Sequence, residues 1–88
     1  MNVSIEHREL LSQIQSLALS SYEQTGIHIC HSVTSGRYGI DSSVQFISDD
    51  TPTLYATTSE YLWEYTTLEQ QRDMLARWIV RNRKGEAA

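Results

Sequence analysis

The chain has 88 residues, 40% of them hydrophobic and 20% charged, with a formal net charge of −4. A domain of this length buries roughly 60 to 65% of the surface its unfolded chain exposes, enough for one modest core, and this balance of apolar and charged residues excludes intrinsic disorder. The longest apolar runs, as at Leu17–Leu19 and Trp78–Val80, are a few residues long, which excludes a membrane-spanning helix of ~20 residues.

From Val3 to Gln24, Leu10, Ile14, Leu17, Ala18 and Tyr22 recur at three- and four-residue spacing, with Leu11 widening the stripe, and predict a first helix. Ser4 or Asn2 caps its start, Glu6 and Glu9 suit the positive end of its dipole, and Gly26 is placed as its left-handed stop. Ile27, Ile29 and Val33 then alternate with His28, Cys30 and Ser32 in the manner of a half-buried strand. Ser35-Gly36 supplies turn chemistry, after which Tyr38, Ile40, Val44 and Phe46 share one face and Asp41, Ser43 and Gln45 the other. Residues 27 to 48 therefore read as an antiparallel hairpin, ended by Asp49-Asp50-Thr51-Pro52.

Residues 53 to 58 have strand composition and return along the hairpin. Residues 60 to 65 admit two readings. The alternation of Tyr61, Trp63 and Tyr65 fits a strand, the preferred assignment, whereas Thr57-x-x-Glu60 matches a capping box that starts a short helix. Thr66-x-x-Glu69 and Thr67-x-x-Gln70 are overlapping capping boxes, and Leu68, Gln71, Leu75, Trp78, Ile79 and Asn82 behind them trace one face of a second helix. Its last turn is expected to carry Arg81, Arg83 and Lys84, with Gly85 ending it.

The predicted fold is α+β: an antiparallel sheet of three or four strands with an N-terminal and a C-terminal helix packed on one face, in one domain over residues 1–84 with a frayed tail at 85–88. The order helix, hairpin, third strand, helix resembles the double-stranded RNA-binding domain in topology. That family reads RNA with a lysine-rich start to its last helix. The corresponding residues here, Thr67-Leu68-Glu69-Gln70-Gln71, contain no lysine, so the resemblance does not carry RNA binding with it.

His28-Ile29-Cys30-His31 is the first segment to suggest a site, but on a strand His28 and Cys30 share a face while His31 points away, leaving at most two converging ligands where zinc needs three or four. Nothing marks a third group to orient His28 as a base for Cys30. The simplest reading is a small half-buried thiol between two solvated imidazoles. No cofactor, metal or catalytic set is predicted, and the chain reads as a non-enzyme. Its single cysteine and the lack of a charged start followed by a long apolar run point to a reducing cytoplasm.

Charge is uneven along the chain. Residues 41 to 71 hold Asp41, Asp49, Asp50, Glu60, Glu64 and Glu69 and no basic residue, whereas residues 72 to 88 sum to +3. The acidic stretch also holds Tyr55, Tyr61, Trp63 and Tyr65. Carboxylates steer a basic partner and aromatics hold it, so Asp49, Asp50, Glu60, Tyr61, Trp63, Glu64 and Tyr65 form the expected partner-binding set. Burial of Trp63 in the core is the competing reading, of equal weight. Arg77, Arg81 and Lys84, at i, i+4, i+7, would instead make a basic stripe for nucleic acid, unless Glu69–Arg72 and Asp73–Arg77 pairs absorb the charge. The leading expectation is a protein-binding module of inhibitory or regulatory kind, such as an immunity, antitoxin-like or phage-encoded protein, whose partner has a basic surface. A homodimer is compatible with it. The alternatives are a nucleic-acid binder and a small enzyme with a carboxylate or thiol site.

Overall fold

The structure is a computed structural model and describes residues 4–48, 50–59 and 66–84. Its elements are α1 (Ile5–Thr25), β1 (Ile29–Gly36), β2 (Gly39–Phe46), β3 (Leu54–Thr57) and α2 (Leu68–Arg81). The strands form one antiparallel sheet in the order β1-β2-β3, and the fold is α+β as the sequence implies. Asp49, the 60–65 segment with its two readings, and the 85–88 tail lie outside the described residues.

Both predicted caps of α1 are present. The Ser4 hydroxyl accepts the His7 N–H at 3.0 Å, and Gly26, at φ 75°, donates its N–H to the Tyr22 carbonyl at 2.8 Å. The buried face differs from the apolar stripe at its C-terminal end. Ser21 and Thr25 are buried there with Ile14, and Tyr22 is exposed, its ring 4.5 Å from that of His28. Ser21 Oγ donates to the Ala18 carbonyl and Thr25 Oγ1 to the Ser21 carbonyl, each at 2.8 Å. Both hydroxyls are thus satisfied within the helix, and these small side chains can be buried without an external partner.

The hairpin register runs from Ile29↔Phe46 through His31↔Val44 to Gly36↔Gly39, which moves the turn from Ser35-Gly36 to Arg37-Tyr38. Tyr38 consequently sits at the tip, exposed, with the Arg37 guanidinium over its ring, and not on the core face. Gly39 has φ 142°, and a Cβ there would collide with the Thr58 hydroxyl, which accepts the Ile40 N–H. On β2 the expected alternation holds: Ile40, Ser42, Val44 and Phe46 are buried, and Asp41 and Gln45 are exposed.

α1 lies against β1 and α2 against β3, and the two helices pack side by side on one face of the sheet. The core under them is Ile14, Val44, Phe46, Ala56, Leu68, Leu75, Trp78 and Ile79, with the Phe46 and Trp78 rings 4.4 Å apart and tilted. Full burial of each large apolar side chain stabilises the fold by ~1.5–3 kcal/mol. α2 starts at the second of the two predicted capping boxes: Thr67 Oγ1 accepts the Gln70 N–H, and Gln70 Oε1 accepts the Thr67 N–H. Its buried residues are the predicted Leu68, Gln71, Leu75, Trp78 and Ile79. The helix stops at Arg81, before Gly85, because the Asn82 N–H is shared between the Trp78 and Ile79 carbonyls and the Lys84 N–H turns to the Gln24 carbonyl of α1. Among the described residues no helix is long and apolar enough to cross a membrane.

Candidate functional site

Among the described residues, strand order makes β1 and β3 the two edges of the sheet. In an antiparallel ladder, residues alternate between those whose N–H and C=O face the neighbouring strand and those whose groups face away. The Ile47 N–H donates to the His28 carbonyl, which fixes the parity: the even residues of β1 face β2, and Ile29, His31, Val33 and Ser35 point their backbone groups out of the edge. Among the described residues no hydrogen bond takes these groups up. β1 is eight residues long and contains no Lys, Arg, Asp, Glu or Pro. Natural edge strands are ordinarily blunted by charge, proline, bulges or shortness, because an open row of donors and acceptors is a template for another strand.

The side chains beside this edge are divided between two faces. Ile29, His31 and Val33 point to the helix side, where Arg8, Leu11, Ser12 and Gln15 of α1 enclose with His31 and Val33 a groove of about 450 Å³. Cys30, Ser32 and Thr34 point to the opposite, open face. Cys30 is exposed, not half-buried, with Ser32 Oγ 3.8 Å from its sulfur.

His31 is not a solvated imidazole. Its Nε2 lies 2.9 Å from the buried Ser42 Oγ, which lies 2.7 Å from Gln71 Oε1. Gln71 Nε2 donates to the Ser42 and Leu54 carbonyls, at 3.0 and 2.8 Å, and this fixes which end of the amide is the acceptor. The single hydroxyl proton of Ser42 therefore goes to Gln71, and His31 Nε2 must carry a proton and donate to Ser42. A serine nucleophile needs the reverse, with its proton directed at the imidazole. The chain His31–Ser42–Gln71 ties β1, β2, β3 and α2 together as a satisfied polar network. Partial burial lowers the His31 pKa below its ordinary 6.5, favouring the neutral ring.

Of the predicted basic stripe, Arg77 and Arg81 come together. They rim a groove of about 360 Å³ bounded by Phe46, Pro52, Leu54, Met74 and Trp78. Lys84 leaves the stripe, because it follows the end of α2 and lays its methylenes over Gly26. The anticipated Glu69–Arg72 and Asp73–Arg77 pairs are replaced: Arg72 contacts its neighbour Asp73 at 3.0 Å and donates to Gln13 Oε1 on α1 at 2.8 Å. Of the predicted acidic and aromatic set, Asp50 is exposed, and Asp49, Glu60, Tyr61, Trp63, Glu64 and Tyr65 lie outside the described residues. Among the described residues no cluster of three or more His, Cys, Asp or Glu side chains is placed to hold a metal ion.

The β1 edge was not among the sites predicted from sequence. The signal available for it was the run from residue 24 to residue 36, which has no Lys, Arg, Asp or Glu. Comparison of the chain with family models, with curated proteins and with solved structures finds no match.

Proposed function

We propose that this protein is a binding module that acts by surface contact with another polypeptide and takes an extended strand onto the edge of β1. The observation that carries this reading is the row of outward N–H and C=O groups at Ile29, His31, Val33 and Ser35 on an uncharged eight-residue strand. Strand addition draws its affinity from such main-chain groups and its specificity from side chains on the two faces. The His31–Ser42 pair has its proton directed away from nucleophilic chemistry, which favours binding over catalysis.

Proline at position 33 tests the reading. The Val33 N–H points out of the edge, so Val33→Pro removes an outward donor and leaves every β1–β2 ladder bond intact. Polypeptides retained by the wild-type protein on an affinity matrix should be lost from a folded Val33→Pro variant. Retention of the same set would contradict the proposal.

A second reading, nucleic-acid contact, keeps Arg77 and Arg81, which are exposed and make no ion pair among the described residues. It requires binding that weakens steeply with salt and is lost in Arg77→Ala/Arg81→Ala. A gel shift with no retarded species at low salt removes it.

A further inference from the structure

Resting on the strand-addition reading, we infer that the strand taken up by the edge is β1 of a second copy of this chain, paired antiparallel across a two-fold axis at Ser32. The geometry of the edge selects this register. Outward-facing residues must meet outward-facing residues if both strands are to exchange hydrogen bonds. With the axis at Ser32, Ile29 meets Ser35 of the other copy and His31 meets Val33, so all four outward residues of each strand are used and each pair exchanges two hydrogen bonds. With the axis one residue later, Ile29 would lie opposite Arg37 in the turn and lose its partner.

Charge is compatible with the same arrangement. A two-fold axis sets β1 against itself, which for most edge strands places like charges in opposition; β1 has no Lys, Arg, Asp or Glu, and burial favours the neutral form of His31. The flank of the edge that a neighbour would cover is mixed, with Arg8, Ser12 and Gln15 of α1 lying beside exposed apolar side chains. Val33 is 47% exposed although it points to the helix side of the sheet, and Leu19, 76% exposed, lies on α1 between Gln15, which lines the groove beside β1, and Tyr22, which stacks on His28 just before β1. Pairing at the edge brings the second α1 alongside the first and covers this margin. The result is a continuous six-stranded sheet with all four helices on one side, a closed assembly with an isologous interface.

The register makes a specific cross-linking prediction. Ser32 faces Ser32 of the other copy at a non-hydrogen-bonded position, with Cα atoms about 4.5 Å apart, within the usual disulfide span of roughly 4.4 to 6.8 Å. Cys30 faces Thr34 of the other copy, and the two Cys30 residues are roughly 13 Å apart along the strands. The test uses the full chain in sedimentation equilibrium over roughly 1 to 100 µM, followed by mild oxidation. The wild type should reach twice the 10.1 kDa chain mass and should not cross-link through Cys30. The Cys30→Ser/Ser32→Cys variant should form a disulfide-linked dimer, and Cys30→Ser/Thr34→Cys should not. Val33→Pro, and Val33→Lys, which keeps the backbone donor but sets a charge in the seam, should both sediment at the mass of one chain with the wild-type circular dichroism spectrum. A wild type that remains at the mass of one chain, a dimer that survives both Val33 substitutions, or equal cross-linking at positions 32 and 34 would overturn the inference. A single-chain wild type that still loses a captured polypeptide on Val33→Pro would overturn the second copy as occupant and leave strand addition standing; loss of neither would overturn both.

Discussion

β3 and β1 border the same sheet, yet among the described residues only β3 is closed by another part of the chain. β3 has four residues, and both of its outward-facing residues are bound to Thr66: the Thr57 N–H donates to the Thr66 carbonyl at 3.0 Å, and Thr66 Oγ1 donates to the Tyr55 carbonyl at 2.6 Å. β1 is twice as long and is open along its whole length among the described residues. A sheet edge whose groups are satisfied by the next turn of its own chain is part of the fold, whereas one left unsatisfied on an uncharged strand is available to another molecule.

The largest expected effect is common to both edges and serves as the baseline. Trp78→Ala or Phe46→Ala removes half of the aromatic pair at the centre of the core and should cost ~3–5 kcal/mol, read as a lowered denaturant midpoint. Wild-type midpoints for both would contradict the core described above. Proline substitutions then separate the two sides of β1. Ser32→Pro removes an N–H that faces β2 and leaves the Ser43 carbonyl without its donor, an expected loss of about 2–3 kcal/mol, while Val33→Pro should cost on the order of 1 kcal/mol or less. Equal losses would mean that the parity of the strand is misassigned. On the other side of the sheet, Thr66→Val deletes the hydroxyl that closes β3 and should cost about 1 kcal/mol, together with faster proteolysis near residues 55–58.

The smallest expected effect is a pH dependence centred on His31. Its folded-state pKa is lowered by burial, so as pH falls from 6.5 toward the folded value the unfolded chain takes up a proton that the folded chain does not. Stability should therefore decline as pH falls through this window and be recovered as it rises. His31→Gln should flatten that part of the pH profile of the thermal midpoint. A slope unchanged by the substitution would assign it to another group.

Much of the scaffold was legible in the sequence because it depends on local rules. Ser4, Gly26 and the Thr67–Gln70 box mark helix ends through contacts between residues at most four apart, and the buried face of α2 follows directly from its spacing. What escaped depends on side-chain partners that hydrophobic spacing does not encode. Ser21 and Thr25 look like surface residues until their hydroxyls are seen bonded inside α1, and although spacing places Gln71 on the buried face of α2, it does not reveal its partners Ser42, 29 positions earlier, and Leu54. The candidate site escaped for a related reason. Alternation identifies a strand, but only strand order decides which strand is an edge, and only one long-range bond, from Ile47 to His28, decides which of its backbone groups face outward. The expected stripe of Arg77, Arg81 and Lys84 lost its last member because the chain turns to meet α1 at Gln24, a contact that helical spacing does not encode.

Backbone amide hydrogen exchange, followed residue by residue as a function of protein concentration, tests the central claim most directly, because it reads the outward donors of β1 themselves. The N–H groups of Ile29, His31, Val33 and Ser35 should exchange rapidly in dilute protein and become protected together as concentration rises, while Cys30, Ser32 and Thr34, already bonded to β2, should be protected throughout. Rapid exchange at the four outward residues, unchanged up to the highest concentration and with no added polypeptide able to slow it, would contradict the assignment of β1 as a binding edge.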